Sequence, residues 1–413
     1  MTGSTAQDSR TFVVVGASLA GAKAAETLRE EGFTGRVVLV GEEPEPPYER
    51  PPLSKGYLLG SDERDTAFVH DRTWYDKQNI ELRTGVRAES LDPVAHTVTL
   101  STGEQLGYDE LLLTTGSVVR TLPVPGADLE GVHYLRRIEH SDALRGVLVE
   151  GARVVVVGGG WIGLEVAAAA RTHGAAVTLV ELDTLPLRRV LGDEVAQVFA
   201  DLHAEHGVDL RLGTGVREIV GSGGRVASVT LDDGSSVPAD VVVVGVGITP
   251  AVELAQAAGL AVDDGVLVDA ALRTSDPDVY AAGDVANVES PLLGRRIRVE
   301  HWQNALDGGP AAARSMLGQD VGYDRVPYFF TDQYDLGMEY TGHAEPGQYD
   351  QVVFRGDVSG REFIAFWLAD GRVLAGMNVN VWDVTEDIER LVRSGAQVDP
   401  ARLADPGVPL AEL

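Results

Sequence analysis

The sequence predicts an α/β protein with two copies of one strand–turn–helix unit and a smaller α+β domain at the C-terminal end. Residues 12–21 (FVVVGASLAG) and 154–163 (VVVVGGGWIG) are each a β-branched run that ends in a glycine-rich turn. Residues 98–116 repeat the pattern of residues 229–247, which indicates a small antiparallel meander before a core strand in each copy. After Pro327 the chain changes to alternating, strand-like runs.

Length and charge limit the classes of function. At roughly 150 residues per domain, 413 residues predict two or three domains. With 34 basic and 63 acidic residues the net charge is −29, so neither nucleic acid nor an anionic membrane is an expected partner. Residues 1–10 lack the apolar core of a secretory signal, and no apolar run approaches the roughly 20 residues of a spanning helix. We expect a cytoplasmic protein.

The chain contains no cysteine. This excludes disulfides, cysteine-ligated zinc, iron–sulfur clusters on this chain, thiol nucleophiles and a redox-active dithiol. No metal site is expected.

The first glycine turn has the context of a dinucleotide-binding site. It follows the predicted strand Phe12 to Val15 and opens a helix, although Ser18 takes the place of the middle glycine between Gly16 and Gly21. A helix N-terminus with unpaired N–H groups favours a pyrophosphate. An ordinary strand-to-helix turn is the alternative, but Glu42, at the end of the next predicted strand, is placed to accept hydrogen bonds from a ribose and favours the binding site.

The second turn matches the fingerprint fully, with Gly158, Gly160 and Gly163. The next predicted strand ends at Glu181, and a carboxylate there pairs with a ribose hydroxyl and repels a 2′-phosphate. The sequence therefore favours NADH over NADPH, although the arginines at 188–189 follow closely enough to weaken that preference.

The other elements follow from local signals. Helices are expected from Ala20 to Glu31 and from Ile162 to His173, because both segments are rich in alanine and other helix formers and end before a glycine. The dipeptide at 370–371 predicts a tight hairpin turn, and a short helix is expected from Thr385 to Arg393. The proline-rich segment after that helix is expected to be loosely held.

Two dinucleotide sites on one chain are most simply explained by FAD and a nicotinamide cofactor. Several motifs in one order then resemble the FAD-dependent, NADH-linked ferredoxin reductases of bacterial monooxygenase and dioxygenase systems. The motifs are Pro47–Lys55 (PYERPPLSK), Thr114–Gly116, Trp161–Glu165 (WIGLE), Gly283–Asp284 and Glu300–Ala305 (EHWQNA).

The resemblance implies a glutathione-reductase-like arrangement of two Rossmann-like domains. Residues 1–117 and 246–322 would form the FAD-binding domain, residues 118–245 the NADH-binding domain, and residues 323–413 the C-terminal α+β domain. It also implies that Lys55 lies beside the flavin N5 and pairs with Glu165. A cation there would stabilise electron density that arrives on the flavin.

The resemblance and the two turns together assign the binding residues. The expected FAD contacts are Gly16, Ser18, Ala20, Gly21, Glu42, Arg50, Lys55, Val86, Thr115, Gly116, Arg136, Gly283, Asp284 and Trp302. The expected NADH contacts are Gly158, Gly160, Ile162, Gly163, Glu181 and Gly247. Structural alternatives stay open for three of these residues and for Glu165: a solvated loop lysine for Lys55, a helix cap for Asp284, a core tryptophan for Trp302 and a helix-surface glutamate for Glu165.

Without a cysteine relay, electrons must pass directly to an outside acceptor. The basic run Arg295, Arg296 and Arg298 lies in an otherwise acidic chain and could face an acidic iron–sulfur ferredoxin. The alternative is an arginine cluster paired with local carboxylates. Phe329 and Phe330 match an aromatic site of the family near the flavin, although core packing is expected for at least one of them.

The predicted activity is electron transfer from NADH through FAD to a ferredoxin that serves a monooxygenase or dioxygenase. An NADH oxidase or quinone reductase would share the first half of the reaction. An NADH-sensing flavoprotein with slow turnover is the alternative from another class of function. The sequence leaves the oligomeric state open.

Overall fold

The structure is a computed structural model that describes residues 8–413. The expectation about residues 1–10 therefore falls largely outside the described residues. Contacts divide the chain into two compact units. The first contains the residues up to Glu49, Arg64–Val118 and Thr249–Pro327, and the second contains Arg50–Glu63, Val119–Ile248 and Tyr328–Leu413.

The strands are numbered in chain order. They are β1 (Thr11–Val15), β2 (Arg36–Val40), β3 (Ile80–Arg83), β4 (Ala88–Asp92), β5 (Thr97–Leu100), β6 (Gln105–Gly107), β7 (Glu110–Leu113), β8 (Ser117–Val119), β9 (Val132–Tyr134), β10 (Arg153–Val157), β11 (Ala176–Glu181), β12 (Asp209–Leu212), β13 (Val216–Ser222), β14 (Arg225–Leu231), β15 (Ser236–Pro238), β16 (Val241–Val244), β17 (Ile248–Pro250), β18 (Val266–Val268), β19 (Val279–Ala281), β20 (Ala286–Ser290), β21 (Arg295–Arg298), β22 (Tyr328–Gln333), β23 (Leu336–Gly342), β24 (Gln351–Asp357), β25 (Glu362–Ala369) and β26 (Arg372–Val379).

The helices are numbered in the same way. They are α1 (Leu19–Glu30), α2 (Gly56–Leu59), α3 (Arg72–Lys77), α4 (Ile138–Val147), α5 (Trp161–Thr172), α6 (Arg188–Glu205), α7 (Glu253–Ala257), α8 (Trp302–Met316), α9 (Thr385–Ser394) and α10 (Pro400–Ala404). Short 3-10 turns cover Pro51–Ser54, Arg64–Ala67, Gly283–Val285 and Leu410–Glu412. The three helices expected from sequence agree with α1, α5 and α9 to within one residue at each end.

The first unit is built on a parallel sheet in the order β19-β7-β1-β2-β3. The four residues of β1 after Thr11 are buried, as are the last four of β2, because a parallel sheet with helices on its faces buries both sides of each strand. Helices α1 and α8 approach each other closely, since a Cβ on Gly309 would lie 2.3 Å from the Ala20 carbonyl oxygen. The first glycine turn lies at the carboxyl end of the central strand of this sheet.

The second unit contains the other parallel sheet, in the order β12-β11-β10-β16-β9, and an antiparallel sheet in the order β22-β23-β26-β25-β24. Helix α5 follows the central strand β10, as α1 follows β1. In the antiparallel sheet Phe363, Phe366 and Trp367 are fully buried. Phe363 and Trp367 lie in one core with the parallel sheet and its helices, and Phe366 lies in a second core under α9 and α10. The fold class predicted from the sequence, two Rossmann-like α/β units and a C-terminal α+β part, is confirmed.

Both repeats noticed in the sequence form the same structure. Strands β4-β5-β6 make an antiparallel meander before β7, and β13-β14-β15 make one before β16. The predicted hairpin turn joins β25 to β26, where Asp370 has φ 49° and Gly371 has φ 72°. Only glycine adopts a positive φ without steric cost, and aspartate tolerates it better than most residues.

The expectation of a loosely held tail after α9 is wrong. The Arg355 guanidinium on β24 donates hydrogen bonds to the carbonyl oxygens of Leu403, Asp405, Pro406 and Val408. The side chains of Leu403 and Leu410 are buried against the same sheet. The prolines correctly indicated irregular backbone after α9. That backbone is nevertheless held in place by Arg355, which is distant in sequence.

Among residues 8–413, none of the helices is long and apolar enough to cross a membrane. The same residues contain no group of three or more histidine, aspartate or glutamate side chains arranged to hold a metal ion.

Candidate cofactor and catalytic sites

The first glycine turn is a backbone crossing that needs glycine. Gly16 has φ 120°, and a Cβ there would lie 2.1 Å from the Thr114 carbonyl oxygen. A Cβ on Gly21 would lie 2.1 Å from the Gly16 carbonyl oxygen, so neither position can hold a larger residue without moving backbone. The Thr114 hydroxyl donates to the Gly16 carbonyl oxygen at 2.8 Å and fixes the turn against β7.

The N-terminus of α1 fits a phosphate group. Ser18 is the N-cap residue with extended backbone, and its side chain makes no capping hydrogen bond with a described residue. The first turn of the helix has no acidic side chain. Unpaired N–H groups and the positive end of the helix dipole therefore point out of the turn, which is the arrangement that binds a pyrophosphate.

Gly283 and Asp284 lie beside this helix in the first unit. They form the 3-10 turn after β19, and Gly283 has φ 75° with its missing Cβ 3.3 Å from the Ala20 Cβ. The half-buried Asp284 follows it at the carboxyl edge of the parallel sheet. Ligands of such sheets bind at that edge, so Asp284 is suitably placed for a cofactor contact.

Trp302 begins helix α8, and its indole N–H donates to the Glu49 carboxylate at 3.0 Å. The side chain is partly exposed, which argues against the alternative of a core tryptophan. Its partner Glu49 belongs to the PYERPPLSK motif of the sequence.

The remaining predicted FAD contacts of the first unit differ in their exposure and in their hydrogen bonds. Glu42 is exposed just after β2. Val86 is half-buried, and its N–H donates to the Gly41 carbonyl oxygen at 2.9 Å. The Thr115 hydroxyl donates to the Ala251 carbonyl oxygen at 2.8 Å, so Thr115 holds a neighbouring loop. Gly116 has φ 66°.

The second glycine turn, in the second unit, repeats the geometry of the first. Gly158 has φ 105°, and a Cβ there would lie 2.3 Å from the Gly245 carbonyl oxygen. A Cβ on Gly163 would lie 2.1 Å from the Gly158 carbonyl oxygen. Gly160 differs, because a Cβ on it would meet no described atom within 4 Å. Its lack of a side chain therefore serves no packing need of the protein and leaves open space at the start of α5, as a bound pyrophosphate requires.

Glu181, at the end of β11, contacts this turn directly. Its carboxylate accepts hydrogen bonds from the backbone N–H groups of Gly159 at 2.6 Å and Asp183 at 2.8 Å. The Arg188 guanidinium forms ion pairs with Asp183 and Asp193, which raise the pKa of Arg188 above its usual value. Arg188 is thus committed to local carboxylates.

The Lys55 ammonium and the Glu165 carboxylate form an ion pair at 2.7 Å. Lys55 follows the 3-10 turn Pro51–Ser54, and Glu165 lies in the second turn of α5. The exposed fraction of the side chain is 15% for Lys55 and 2% for Glu165, so the carboxylate is buried and the ammonium nearly so. The open alternatives of a solvated loop lysine and a surface glutamate do not describe these two side chains.

Two hydroxyl groups that the sequence reasoning missed complete the environment of Glu165. The Thr331 hydroxyl on β22 donates to Oε1 at 2.6 Å, and the Ser54 hydroxyl donates to Oε2. The available signal was strand alternation: Thr331 and Gln333 stand two residues apart in a strand, so both point to the face opposite to Asp332. Burial raises the pKa of Asp332, and the positive charge of Lys55 opposes that rise.

Phe329 and Phe330 have separate roles. Phe329 is buried and stacks on Tyr340 with ring centroids 5.0 Å apart, so it belongs to the core. The Lys55 Nζ lies 5.2 Å from the centroid of the Phe330 ring, within the range of a cation–π contact.

Four other predicted residues of the second unit lie on loops or the helix surface. The Arg50 guanidinium donates to the Arg136 carbonyl oxygen, which joins two segments distant in sequence. Ile162, in the first turn of α5, is 44% exposed. Gly247 has φ 100°, and its carbonyl oxygen accepts from the Arg120 N–H at 3.0 Å.

The basic run lies on strand β21. Arg298 pairs with Glu300 and Asp264, and its side chain is 11% exposed. The Arg296 guanidinium donates to the Val268 and Asn287 carbonyl oxygens and lies 3.5 Å from Glu289. Arg298 and Arg296 therefore both fit the alternative of a locally paired arginine, but the Arg296 side chain is 39% exposed and so is the more accessible of the two.

The predicted residues fall into two groups, one in each unit. The first unit contains Gly16, Ser18, Ala20, Gly21, Glu42, Val86, Thr115, Gly116, Gly283, Asp284 and Trp302. The second contains Arg50, Lys55, Arg136, Gly158, Gly160, Ile162, Gly163, Glu165, Glu181 and Gly247. Each group includes one glycine turn at the carboxyl end of a parallel sheet.

Known proteins show the same combination of parts. Residues 10–309 match the family described as pyridine nucleotide-disulphide oxidoreductase, and residues 328–413 match the family described as reductase C-terminal. The chain is 44% identical to the ferredoxin–NAD(+) reductase component of the anthranilate 1,2-dioxygenase system of Burkholderia cepacia, over 97% of this chain and 98% of the relative. It is 37% identical to putidaredoxin reductase of Pseudomonas putida, over 97% and 96% of the two chains.

Solved structures agree. The reductase in the covalent putidaredoxin reductase–putidaredoxin complex superposes with a TM-score of 0.95 at 36% identity, covering 98% of each chain. The ferredoxin reductase of the CYP199A2 system from Rhodopseudomonas palustris gives a TM-score of 0.94 at 37% identity, covering 98% of this chain and 99% of that one. Two glycine turns, the Lys55–Glu165 pair and full-length similarity lead to one conclusion: the chain belongs to the pyridine nucleotide-disulphide oxidoreductase family, among its ferredoxin–NAD reductases.

Proposed function

We propose that the protein transfers electrons from NADH through FAD to a two-iron, two-sulfur ferredoxin that supplies a monooxygenase or a dioxygenase. The observation that carries this proposal is the absence of cysteine from a chain with two glycine turns that share one backbone geometry. Relatives that reduce disulfides need a thiol pair, which this chain lacks. Electrons must therefore leave by a route that uses no thiol.

Separate segments of the chain would bind FAD and NADH. FAD, when bound, supplies the chemistry that accepts a hydride and releases electrons one at a time. We assign its pyrophosphate to the turn Gly16–Gly21 and the flavin edge to Lys55, with residues 1–117 and 246–322 as the FAD-binding domain. We assign NADH to residues 118–245, with its pyrophosphate at Gly158–Gly163, and residues 323–413 to the C-terminal domain. A hydride moves directly, so this chain needs no general acid, and its residues act by positioning.

Reoxidation of the NADH-reduced enzyme tests the function. The enzyme is reduced anaerobically with one equivalent of NADH and mixed rapidly with a ferredoxin of the class named above, with dissolved oxygen or with a quinone, while the flavin absorbance is followed. Fast reoxidation by the ferredoxin alone supports the proposal. Fast reoxidation by oxygen or quinone identifies an oxidase or quinone reductase, and slow reoxidation by all three identifies an NADH sensor.

We infer that Glu181 sets the preference for NADH. Its carboxylate lies at the second glycine turn, where it would repel a 2′-phosphate, and Arg188 is held by Asp183 and Asp193. Replacing Glu181 with alanine should raise the ratio of kcat/KM for NADPH to that for NADH by about tenfold to a hundredfold. An Asp209→Ala variant, which removes an exposed carboxylate from the neighbouring strand, is the control. An unchanged ratio in the Glu181 variant would contradict the assignment.

We propose that the ferredoxin docks near Arg295, Arg296 and Arg298. Because the Arg298 side chain is only 11% exposed, the effect should reside mainly in the other two arginines. The double substitution of Arg295 and Arg296 by glutamate should raise the KM for ferredoxin about tenfold at low ionic strength and leave flavin reduction by NADH unchanged.

A matched variant separates docking from net charge. Arg87 and Arg217 are exposed, and their double replacement by glutamate makes the same change in charge elsewhere. Its KM for ferredoxin should stay near that of the wild-type protein. Equal effects of the two double variants would show that only long-range charge matters.

A further inference from the structure

A buried chain of hydrogen bonds leads from helix α6 to the Glu165 carboxylate. The His203 Nε2 lies 2.9 Å from Gln333 Oε1, and Gln333 Nε2 lies 3.2 Å from the Thr331 hydroxyl oxygen. That hydroxyl lies 2.6 Å from Glu165 Oε1, which also accepts from the Lys55 ammonium at 2.7 Å. Each of His203, Gln333, Thr331 and Glu165 is at most 3% exposed. The sequence motifs account for Lys55 and Glu165 but give the other three no role.

The donors in this chain all point toward Glu165. A carboxylate paired with an ammonium group accepts only, so the Thr331 hydroxyl must donate to it and must accept from the Gln333 amide N–H. The amide oxygen of Gln333 then faces His203, whose Nε2 must carry a proton. Aligned donors of this kind polarise one another and stabilise negative charge at the end of the chain.

His203 fits this role as a neutral ring. Burial lowers the pKa of His203 to about 4, so the ring is uncharged near neutral pH. The Tyr334 hydroxyl lies 3.4 Å from Nδ1 and supplies a donor on that side, consistent with a proton on Nε2. Tyr334 stacks on His206 with ring centroids 3.7 Å apart, which fixes it against the same helix.

We propose that Thr331, Gln333 and His203 are positioning residues for Lys55. They orient the Glu165 carboxylate, and the oriented carboxylate holds the ammonium group in one place. The inference deepens the proposed function, on which the assignment of Lys55 to the flavin rests. It gives the C-terminal sheet a part in the chemistry, since Thr331 and Gln333 both lie on β22.

Packing alone does not explain why this row of hydrogen-bonded side chains is polar. Apolar residues of similar volume at positions 331 and 333 would pack in the same interior without the desolvation cost of two polar side chains. Removal of one link leaves its neighbour with an unmet hydrogen bond in a buried place, which costs more than the bond itself contributed. The hydrogen-bonded side chains therefore act as a unit, and removal of the Thr331 hydroxyl should change how firmly the Lys55 ammonium group is held.

A pair of substitutions at one position tests the proposal in the FAD-bound enzyme. Thr331→Val keeps the shape and the strand propensity but removes the hydroxyl, whereas Thr331→Ser keeps the hydroxyl. The first readout is the rate at which an amine-reactive reagent modifies Lys55, measured by peptide mass spectrometry. Lys23, Lys55 and Lys77 are the lysines of the sequence, so the other two serve as internal standards.

We expect Thr331→Val to raise the labelling rate of Lys55 relative to the standards on the order of tenfold, because one hydrogen bond to a charged group is lost. Thr331→Ser should label at the wild-type rate. The second readout is the midpoint potential of the bound flavin, which should become more negative in the valine variant and stay unchanged in the serine variant. If the valine variant does not fold, a Gln333→Met variant, which removes the hydrogen bond before Thr331, takes its place. It should raise the labelling rate of Lys55 and lower the flavin potential by smaller amounts.

Wild-type labelling in both the valine and methionine variants would overturn the proposal, and so would a serine variant that behaves as the valine variant does. Failure of the proposed function gives a different pattern. Labelling that responds as expected with a flavin potential that is equal in all variants supports the positioning chain and removes Lys55 from the flavin site.

Discussion

A Glu165→Gln variant is expected to reduce its flavin with NADH about a hundredfold more slowly than the wild-type protein. Glutamine keeps the shape of the side chain but cannot neutralise the Lys55 ammonium, whose side chain is 15% exposed. A buried ion pair that loses one partner leaves an uncompensated charge, at a cost of about 3–5 kcal/mol. Lys55 should then leave its place, and with it the positive charge that we assign to the flavin edge.

Stopped-flow reduction with excess NADH measures this effect as a maximal rate, separately from the apparent affinity for NADH. We expect the maximal rate to fall while the NADH concentration at half-maximal rate changes little, because the lost interaction acts on the reaction and not on binding. Flavin content and thermal midpoint are recorded first, so that all rates refer to folded, loaded protein. Glu389→Gln, an exposed change on α9, is the control. A wild-type rate in a fully loaded Glu165→Gln enzyme would contradict the role of the pair.

A Gly160→Ala variant is expected to bind NADH about tenfold to a hundredfold more weakly without loss of stability. The reason is geometric: the added Cβ meets no described protein atom within 4 Å and therefore clashes only with a bound molecule. Gly160 has φ −81°, which alanine adopts without strain. The substitution thus separates ligand binding from folding at one position.

Gly158→Ala is the informative contrast. Its Cβ would lie 2.3 Å from the Gly245 carbonyl oxygen, and its φ of 105° disfavours any side chain. This variant should lower the thermal midpoint and the yield of folded protein, whereas Gly160→Ala should change only the KM for NADH. The check is thermal denaturation of both variants beside a titration with NADH. Equal KM values for Gly160→Ala and the wild-type protein would remove the second turn as the nucleotide site.

Local patterns predicted the parts of this protein that depend on neighbours in sequence. The buried β-branched strands, the glycine turns and helices α1 and α5 each follow from a short run of residues, and all three were predicted to within a residue. The C-terminal tail was not, because its anchor, Arg355, lies on a strand about fifty residues earlier. No local signal marks a guanidinium that binds distant carbonyl oxygens.

The candidate site likewise combines residues that the sequence predicted with residues that only the fold brings together. The resemblance paired Lys55 with Glu165, but nothing in the sequence placed Ser54 and Thr331 on the same carboxylate. These residues are separated from Glu165 by 111 and 166 positions. The ion pairs of Arg298 show the same limit, because its partner Glu300 is close in sequence whereas its partner Asp264 is not.

By itself the sequence determined two glycine turns after buried strands and the absence of any thiol relay, and it predicted a preference for NADH, because each of these depends on residue type and spacing. Only the tertiary structure decided which groups hold the Lys55–Glu165 pair, since Ser54 and Thr331 contact Glu165 only in the folded chain. Hydrogen bonds between buried side chains form where strands and helices pack, and packing is set by the whole chain.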